Sequence, residues 1–449
     1  MSDTGRDPVF LDGTEFRGAV DAPASDSAGE PEDSVATVTA PEVPLEPEQA
    51  PHAEVHVIET REEYLEAVAS IMAGHGPIAI DAERASGFRY SQRAYLIQVF
   101  RRGSGLFLFD PPAIGSFAEL DEAIRNEEWV LHAASQDLAC LREVGLDPTR
   151  IFDTELGARL AGLPRVGLGT VVEDLLGIHL AKEHSAADWS TRPLPQSWLV
   201  YAALDVELLP DLKDAMAALL DEAGKTEIAS QEFSAVLTRE AKVVIGEAWR
   251  RLSGLHTVRG ARNLAVAREL WEARDAFARE IDTAPGRLVP DASLIAAAKA
   301  MPESRHGLAS LREFSGRASR SELPRWWAAV EAGRTTEDLP ALRVANEAMP
   351  PPRVWSDRNP EADKRLKAAR AAITRVGAEL NIPVENVLTP ELLRRLAWTP
   401  PQPLGLEGIQ DGLVGLGARS WQVDAIAQVI LDAFVEANQT VEPVVEAGS

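Results

Sequence analysis

Every strand-like run in this chain of 449 residues lies before residue 153, and after about residue 225 the strand pattern disappears. That division limits the fold to a mixed α/β domain followed by helical ones. Residues 61–73 carry Tyr64, Leu65, Val68 and Ile71 at helical spacing. Strand-like runs follow at 77–83, 94–101 and 105–109, the last two separated by the hairpin signal Arg102-Gly103-Ser104. An apolar run from Trp129 to Leu131, a helix at about 136–144, a strand-like Ile151-Phe152 and a strong helix from about 195 to 222 complete the region. The reading is a mixed sheet flanked by helices over residues 55–224.

Residues 225–253 read as a helical connector and 254–335 as a compact helical set bounded by Gly and Pro. A proline-rich linker at 336–360, containing Met349-Pro350-Pro351-Pro352, precedes a second helical set at 361–440 and a short tail at 441–449. The two sets resemble each other. At an offset of 96, Leu270, Ala273, Arg274 and Ala276 fall on Leu366, Ala369, Arg370 and Ala372. After a three-residue shift, Ile281, Leu288, Val289, Leu294, Ala298 and Pro302 fall on Leu380, Val387, Leu388, Leu393, Ala397 and Pro401. An internal repeat is the favoured explanation, and coincidence between two helical sets is the alternative.

The net charge of −25 weighs against a polyanionic partner, since nucleic-acid binding draws on basic surface. Much of the excess is concentrated, however. Residues 1–55 hold thirteen acids against Arg6 and Arg17, which accounts for −11 and leaves −14 for the rest. With its Pro, Ser and Ala, residues 1–54 are expected to be a disordered acidic tail, in which Val9-Phe10-Leu11 and Phe16 form a candidate docking segment. No apolar run is long enough to span a bilayer, and the start of the chain lacks the basic-then-apolar pattern of a secretory signal. The single cysteine, Cys140, has no partner for an internal disulfide, which fits a reducing cytoplasm. The eight histidines show no zinc-ligand spacing, and no Gly-x-x-x-x-Gly-Lys phosphate loop is present, so a helicase motor is absent.

Four acids stand in unexpected places. In Pro77-Ile78-Ala79-Ile80-Asp81-Ala82-Glu83, period-two geometry puts Asp81 and Glu83 on one face of a strand, roughly 7 Å apart. Two like charges beside a core call for a neutralising cation, unless the strand runs out into solvent. Trp198, Tyr201, Asp205 and Leu208 share one stripe of the late helix, so Asp205 lies one turn beyond a tyrosine on an apolar-aromatic face. A plain Tyr–Asp hydrogen bond also fits that spacing. In Val130-Leu131-His132-Ala133-Ala134-Ser135-Gln136-Asp137-Leu138, a strand gives way to a helix with Asp137 in the first turn, where acids often serve only to complement the helix dipole.

Taken together, the order and spacing of these motifs resemble the tyrosine variant of the DEDD exonucleases, and most closely the ribonuclease D family. The run from Ile80 to Val99, the Leu131–Leu138 segment, Asp188-Trp189 with Arg192-Pro193-Leu194, and Tyr201-Ala202-Ala203-Leu204-Asp205-Val206 all carry the likeness. Ala82 departs from the threonine common in the family but occupies no ligand position. The set at 254–335 is similar to the HRDC nucleic-acid-binding domain, through Leu270-Trp271-Glu272-Ala273-Arg274, Asp282 to Pro285, Val289-Pro290-Asp291, Met301-Pro302 and Trp326. The second set is similar to the divergent C-terminal domain of the same family.

The resemblance implies a ribonuclease H-like exonuclease domain in which Asp81, Glu83, Asp137 and Asp205 hold two divalent cations, Mg²⁺ or Mn²⁺, roughly 3.5–4 Å apart. Asp81 would bridge them, Glu83 and Asp205 would sit on the water-activating side, Asp137 on the leaving-group side, and Tyr201 would position the attacking water. The implied activity is 3′→5′ exonucleolysis of RNA with a free 3′ end, above all tRNA precursors, by a chain acting as a monomer. A DNA exonuclease and a non-catalytic nucleic-acid-binding scaffold are the competing readings. Candidate phosphate contacts are Arg250, Arg251, Arg259 and Arg262 in the first helical set and Lys364, Arg365, Lys367 and Arg370 in the second, although such runs are more often solvated helix faces. His132 and Asp153 are expected to be structural, and one or both of Trp326 and Trp327 to pack within their module rather than stack on bases.

Overall fold

The structure is a computed structural model that describes residues 55–180, 187–239, 246–342 and 349–439. The acidic tail, with its candidate docking segment, and the short C-terminal tail lie outside the described residues.

The first domain is built on a six-stranded sheet in the order β1-β4-β3-β2-β5-β6, comprising β1 (Val57–Ile58), β2 (His75–Arg84), β3 (Ala94–Arg102), β4 (Gly105–Phe109), β5 (Glu128–Leu131) and β6 (Arg150–Asp153). β2 pairs antiparallel with β3 and parallel with β5, so it lies in the middle of a mixed sheet, as its apolar run predicts. Its side chains alternate between two covered faces. Ile80 and Ala82 belong to the core that also holds Ile97, Phe109 and Tyr64 of the Arg61–Ala73 helix. On the other face Leu96 and Leu108 cluster with Trp189, Leu199 and Ala202. Asp81 and Glu83 alternate toward this second face, which the Gln196–Glu207 helix covers.

The long helix expected at 195–222 is two helices, Gln196–Glu207 and Leu209–Glu222. Pro210 explains the break. It has no N–H to offer Val206, and its ring crowds the carbonyl at that position.

Two helical domains follow. The first contains Ala261–Glu280, Asp291–Ala300 and Leu323–Thr335 around a core of its own, with Leu270, Leu294, Phe314, Trp326 and Val330. The second contains Pro360–Leu380, Pro390–Trp398, Leu406–Gly415 and Ser420–Gln439, and its core is continuous with that of the exonuclease domain. Polar contacts reinforce this join. Lys225 Nζ donates to the carbonyls of Leu160 (2.7 Å) and Asn381 (3.1 Å). The Glu232 carboxylate takes both the Arg419 guanidinium and the Trp421 indole N–H. The proline-rich stretch read as linker is partly folded, because Trp355 is fully buried against Trp398 and donates to Pro350 O at 2.7 Å.

Burial patterns put both domains in one register. At a constant offset of 99, buried Val266, Ala267, Leu270, Arg274 and Ala278 fall on buried Arg365, Leu366, Ala369, Ile373 and Gly377. The 96-residue offset for the first helix is therefore one turn out, an easy slip, since three residues nearly reproduce a period of 3.6.

The first helical domain grips the loop that follows β2. Asp282, at φ +45, accepts from Ser91 N (2.8 Å), Ser91 Oγ (3.2 Å) and Tyr95 Oη (3.0 Å). Nearby, Tyr90 donates to Asp275, Ala284 N donates to Phe88 O, and Arg287 lies over the Phe88 ring while donating to Gly87 O.

Candidate active site

The end of β2 delivers Asp81 and Glu83 to the face under the Gln196–Glu207 helix, and that helix delivers Tyr201 and Asp205. Its buried stripe is Leu199, Ala202, Ala203 and Val206, so Tyr201 and Asp205 stand at the edge of the packed face, where it opens. The helix start is pinned by the 188–194 segment. Trp189 is fully buried edge-on to Trp198, and Arg192 bonds to Asp110 and to the carbonyls of Tyr95 and Trp189. Carboxylate oxygens of Asp81, Glu83 and Asp205 all lie within 4.8 Å of one another. The Tyr201 hydroxyl bonds to Asp205.

Asp137 arrives from β5. After Leu131 the chain turns through Ala133, whose φ of +65 is uncommon for a side-chain-bearing residue, into a short 3₁₀ turn, Ala134–Gln136, and the Leu138–Glu143 helix. Asp153 holds that turn. Its carboxylate accepts from the Ala133 and Ala134 N–H groups (3.0 and 2.9 Å) while also capping the next helix at Glu155 and Leu156. Asp137 is 6% exposed and makes no capping bond, so its carboxylate does not serve the helix end. The charge of Asp81 acts on it, and the Arg84 guanidinium lies 3.7 Å from its Oδ1.

The electrostatics follow from this crowding. Burial, then the charges of Asp81, Asp205 and Asp137, pushes Glu83 up to about 10. Burial and then Asp81 push Asp205 up to about 8, against the Tyr201 hydrogen bond. Burial and then Asp81 push Asp137 up to about 8, and Arg84 opposes the shift. Burial raises Asp81 as well. Glu83, Asp137 and Asp205 thus favour their protonated forms near neutrality unless cations replace the protons. The donor set consists of carboxylate oxygens alone, which suits hard divalent ions such as Mg²⁺ and Mn²⁺.

Comparisons with known proteins agree with this geometry. Residues 55–221 match the 3′–5′ exonuclease profile, 263–330 the HRDC domain, and 348–434 the 3′ to 5′ exonuclease C-terminal domain. Ribonuclease D of Pseudomonas paraeruginosa is 30% identical over 367 residues, covering 80% of this chain and 92% of its own length. The chain belongs to the ribonuclease D family. Among solved structures, a protein from Bifidobacterium adolescentis is similar at 37% identity and a TM-score of 0.76, with 84% of this chain and 96% of that one covered. Escherichia coli RNase D, described as an exoribonuclease involved in structured RNA processing, is similar at 27% identity and a TM-score of 0.62, covering 86% and 99%.

In this family member the fold gathers Asp81, Glu83, Tyr201 and Asp205 closely and sets the Arg84 guanidinium beside Asp137. His132 has the partner that a structural role calls for. Its Nδ1 meets Thr154 Oγ1 at 2.9 Å, and burial holds the imidazole down to about 4. Trp326 is fully buried with its indole N–H on Ala318 O. Two of the eight candidate phosphate contacts are already committed to the fold. Arg262 bonds the carbonyls of Gly333 and Thr336, and Arg365 is 6% exposed and bonds Ala397 O. Lys367 pairs with Asp363 and Arg250 with Glu247, whereas Arg251, Arg259, Lys364 and Arg370 are exposed.

Three contributors escape a sequence reading. Arg84 follows Glu83, and strict alternation sends it to the opposite face, but the β2–β3 ladder is irregular between Glu83 and Arg84. Asp153 acts through backbone bonds that no motif marks. Gln98 is the visible case, a polar residue inside the apolar run Tyr95-Leu96-Ile97-Gln98-Val99-Phe100. It lies directly across the ladder from Asp81, fully buried, with neither amide atom partnered among the described residues.

Proposed function

We propose that Asp81, Glu83, Asp137 and Asp205 are the metal-holding acids of this 3′→5′ exoribonuclease, and that Tyr201 positions the attacking water. The convergence of three carboxylates within 4.8 Å, under a helix that also carries Tyr201, supports the assignment most strongly. Asp81, Glu83 and Asp205 would hold one ion, and Asp81 together with Asp137 would hold the other. When bound, Mg²⁺ or Mn²⁺ supplies Lewis-acid stabilisation of the entering and leaving oxygens of an in-line displacement.

The side chains do the rest. Burial and the neighbouring Asp205 charge keep the Tyr201 phenol protonated far above neutral pH, so it remains a hydrogen-bond donor able to orient the water. Its bond to Asp205 fixes the phenol, because both groups ride on one rigid helix. Release of nucleoside 5′-monophosphates from a free 3′ end follows. Structured RNA, tRNA precursors above all, is the substrate class that fits, given the description of the E. coli relative. Family membership favours RNA over DNA and catalysis over a passive scaffold. Action in the cytoplasm by a monomer is part of the same proposal; among the described residues no helix is long and apolar enough to cross a membrane.

The experiment is incubation of 3′-labelled RNA and DNA with the protein in Mg²⁺, in Mn²⁺ or in chelator. Mononucleotides should appear from RNA only with metal, and Asp81→Ala should abolish them. Release unaffected by that substitution refutes the assignment.

A further inference from the structure

Gln98 is fully buried in the middle of the sheet, and neither its amide nitrogen nor its amide oxygen has a partner among the described residues. Buried polar groups are nearly always hydrogen-bonded, so an orphaned amide in such a place calls for a reason. The register supplies one. Across β2, β3 and β4, Asp81, Gln98 and Leu108 stand in a row, with Gln98 directly opposite both neighbours. Residues so placed share one face, with their Cβ atoms about 4.5–5.5 Å apart. Leu108 is apolar and packs with Trp189, Leu199 and Ala202, the last two from the helix that covers this face. Asp81 is the polar neighbour on that row. A turn of the glutamine side chain brings its amide to the carboxylate with no movement of the backbone.

We propose that Gln98 is a positioning residue for Asp81: its Nε2–H donates to the Asp81 carboxylate and fixes the orientation in which that acid serves the cations. This rests on the active-site reading above. Asp81 is the acid common to both cation positions in that reading, so its orientation bears on both at once. The Ala82 N–H already supports the carboxylate from its own strand. The amide adds a donor from the neighbouring strand, and carboxylates that hold metal ions are commonly held by such partners themselves.

The residue type fits the task. An amide brings no charge to a cluster of four acids and leaves its neutralisation to the cations, whereas a lysine there would compete with them. A leucine or methionine would fill the space about as well and orient nothing. Gln98 accordingly leaves the metal-free fold with an unmade bond that is made when the site is loaded.

The test is calorimetric titration of the full chain with Mn²⁺, comparing wild type with Gln98→Met and with a control, Leu108→Met, at the other end of the row. Gln98→Met should weaken Mn²⁺ binding about 10–100-fold while melting no lower than wild type in EDTA. Leu108→Met should bind Mn²⁺ as wild type does, and Gln98→Leu should repeat the loss with a second apolar shape. On 3′-labelled RNA, Gln98→Met should need correspondingly more Mn²⁺ for half-maximal release, with KM for RNA at saturating Mn²⁺ unchanged. Wild-type Mn²⁺ affinity in Gln98→Met, or an equal loss in Leu108→Met, overturns the proposal and leaves the active-site assignment standing. Failure of both Gln98 variants to fold also overturns it, because the core would then require the amide. No Mn²⁺ uptake by the wild type overturns both readings.

Discussion

Asp205→Asn should make the metal-free protein more stable while abolishing its activity. The Asp205 carboxyl is pushed from 3.8 up to about 8, chiefly by burial and then by Asp81. Below about pH 3.8 the folded and unfolded chains both keep the proton, and no penalty arises. As pH rises toward 8 the unfolded chain sheds the proton and the folded one retains it, so stability falls by about 1.4 kcal/mol per pH unit and levels off above 8. At pH 7.5 that sets a ceiling of about 5 kcal/mol. Water reaching the half-buried carboxyl reduces the realised gain to about 1–3 kcal/mol. Asparagine keeps the shape and the oxygen that meets Tyr201 while removing the charge. Calorimetry in EDTA should therefore show the variant melting about 1–4 °C higher at pH 7.5, at about 1–2 °C per kcal/mol for a cooperative unit of this size, with the gain shrinking toward zero near pH 4. In Mn²⁺ the order should reverse, because only the wild type has the full ligand set. A variant less stable than wild type in EDTA at pH 7.5, or a gain independent of pH, would refute the reasoning.

Gln98→Met should also raise metal-free stability, by about 1–2 kcal/mol in denaturant titration, because it removes two buried unpartnered polar atoms at nearly constant volume. Asp153→Ala should cost about 2–4 kcal/mol, since it strips a helix cap and leaves the Ala133 and Ala134 N–H groups buried and unmade. Its activity should fall further than its stability, measured well below the melting temperature, because Asp137 hangs on that turn. Asp282→Ala should cost about 1–3 kcal/mol, seen as faster amide exchange across residues 85–95, whereas a variant with unchanged exchange there would mean that the docking is carried by Arg287 and Tyr90.

The fold was legible wherever period and punctuation agreed. Tyr64, Val68 and Ile71 mark the Arg61–Ala73 helix, and Gly103 marks the β3–β4 hairpin. The site was legible because acids in an apolar strand and on an aromatic helix stripe violate the pattern around them. What escaped depended on pairing and packing. The Arg84 direction turns on one irregular ladder step, and the role of Gln98 on a register that only the folded sheet displays. Arg262 and Arg365 looked like surface charge, yet their long stems bury while the guanidinium tips satisfy carbonyls at the ends of neighbouring helices. The 96-residue offset failed because a helix repeats its own face every turn.

The grip of Asp282 on the loop after β2 has a thermodynamic consequence. The strand that carries Asp81 and Glu83 ends in a segment whose conformation is shared with a domain about 190 residues further along the chain. If substrate also binds the acid cluster differently in the docked and undocked states of the first helical domain, a ligand of that domain that discriminates the two states changes substrate affinity, and linkage requires the reverse effect to be equal in size. RNA held at the catalytic strand would then tighten or loosen the helical domain by the same factor. That factor is measurable from either end.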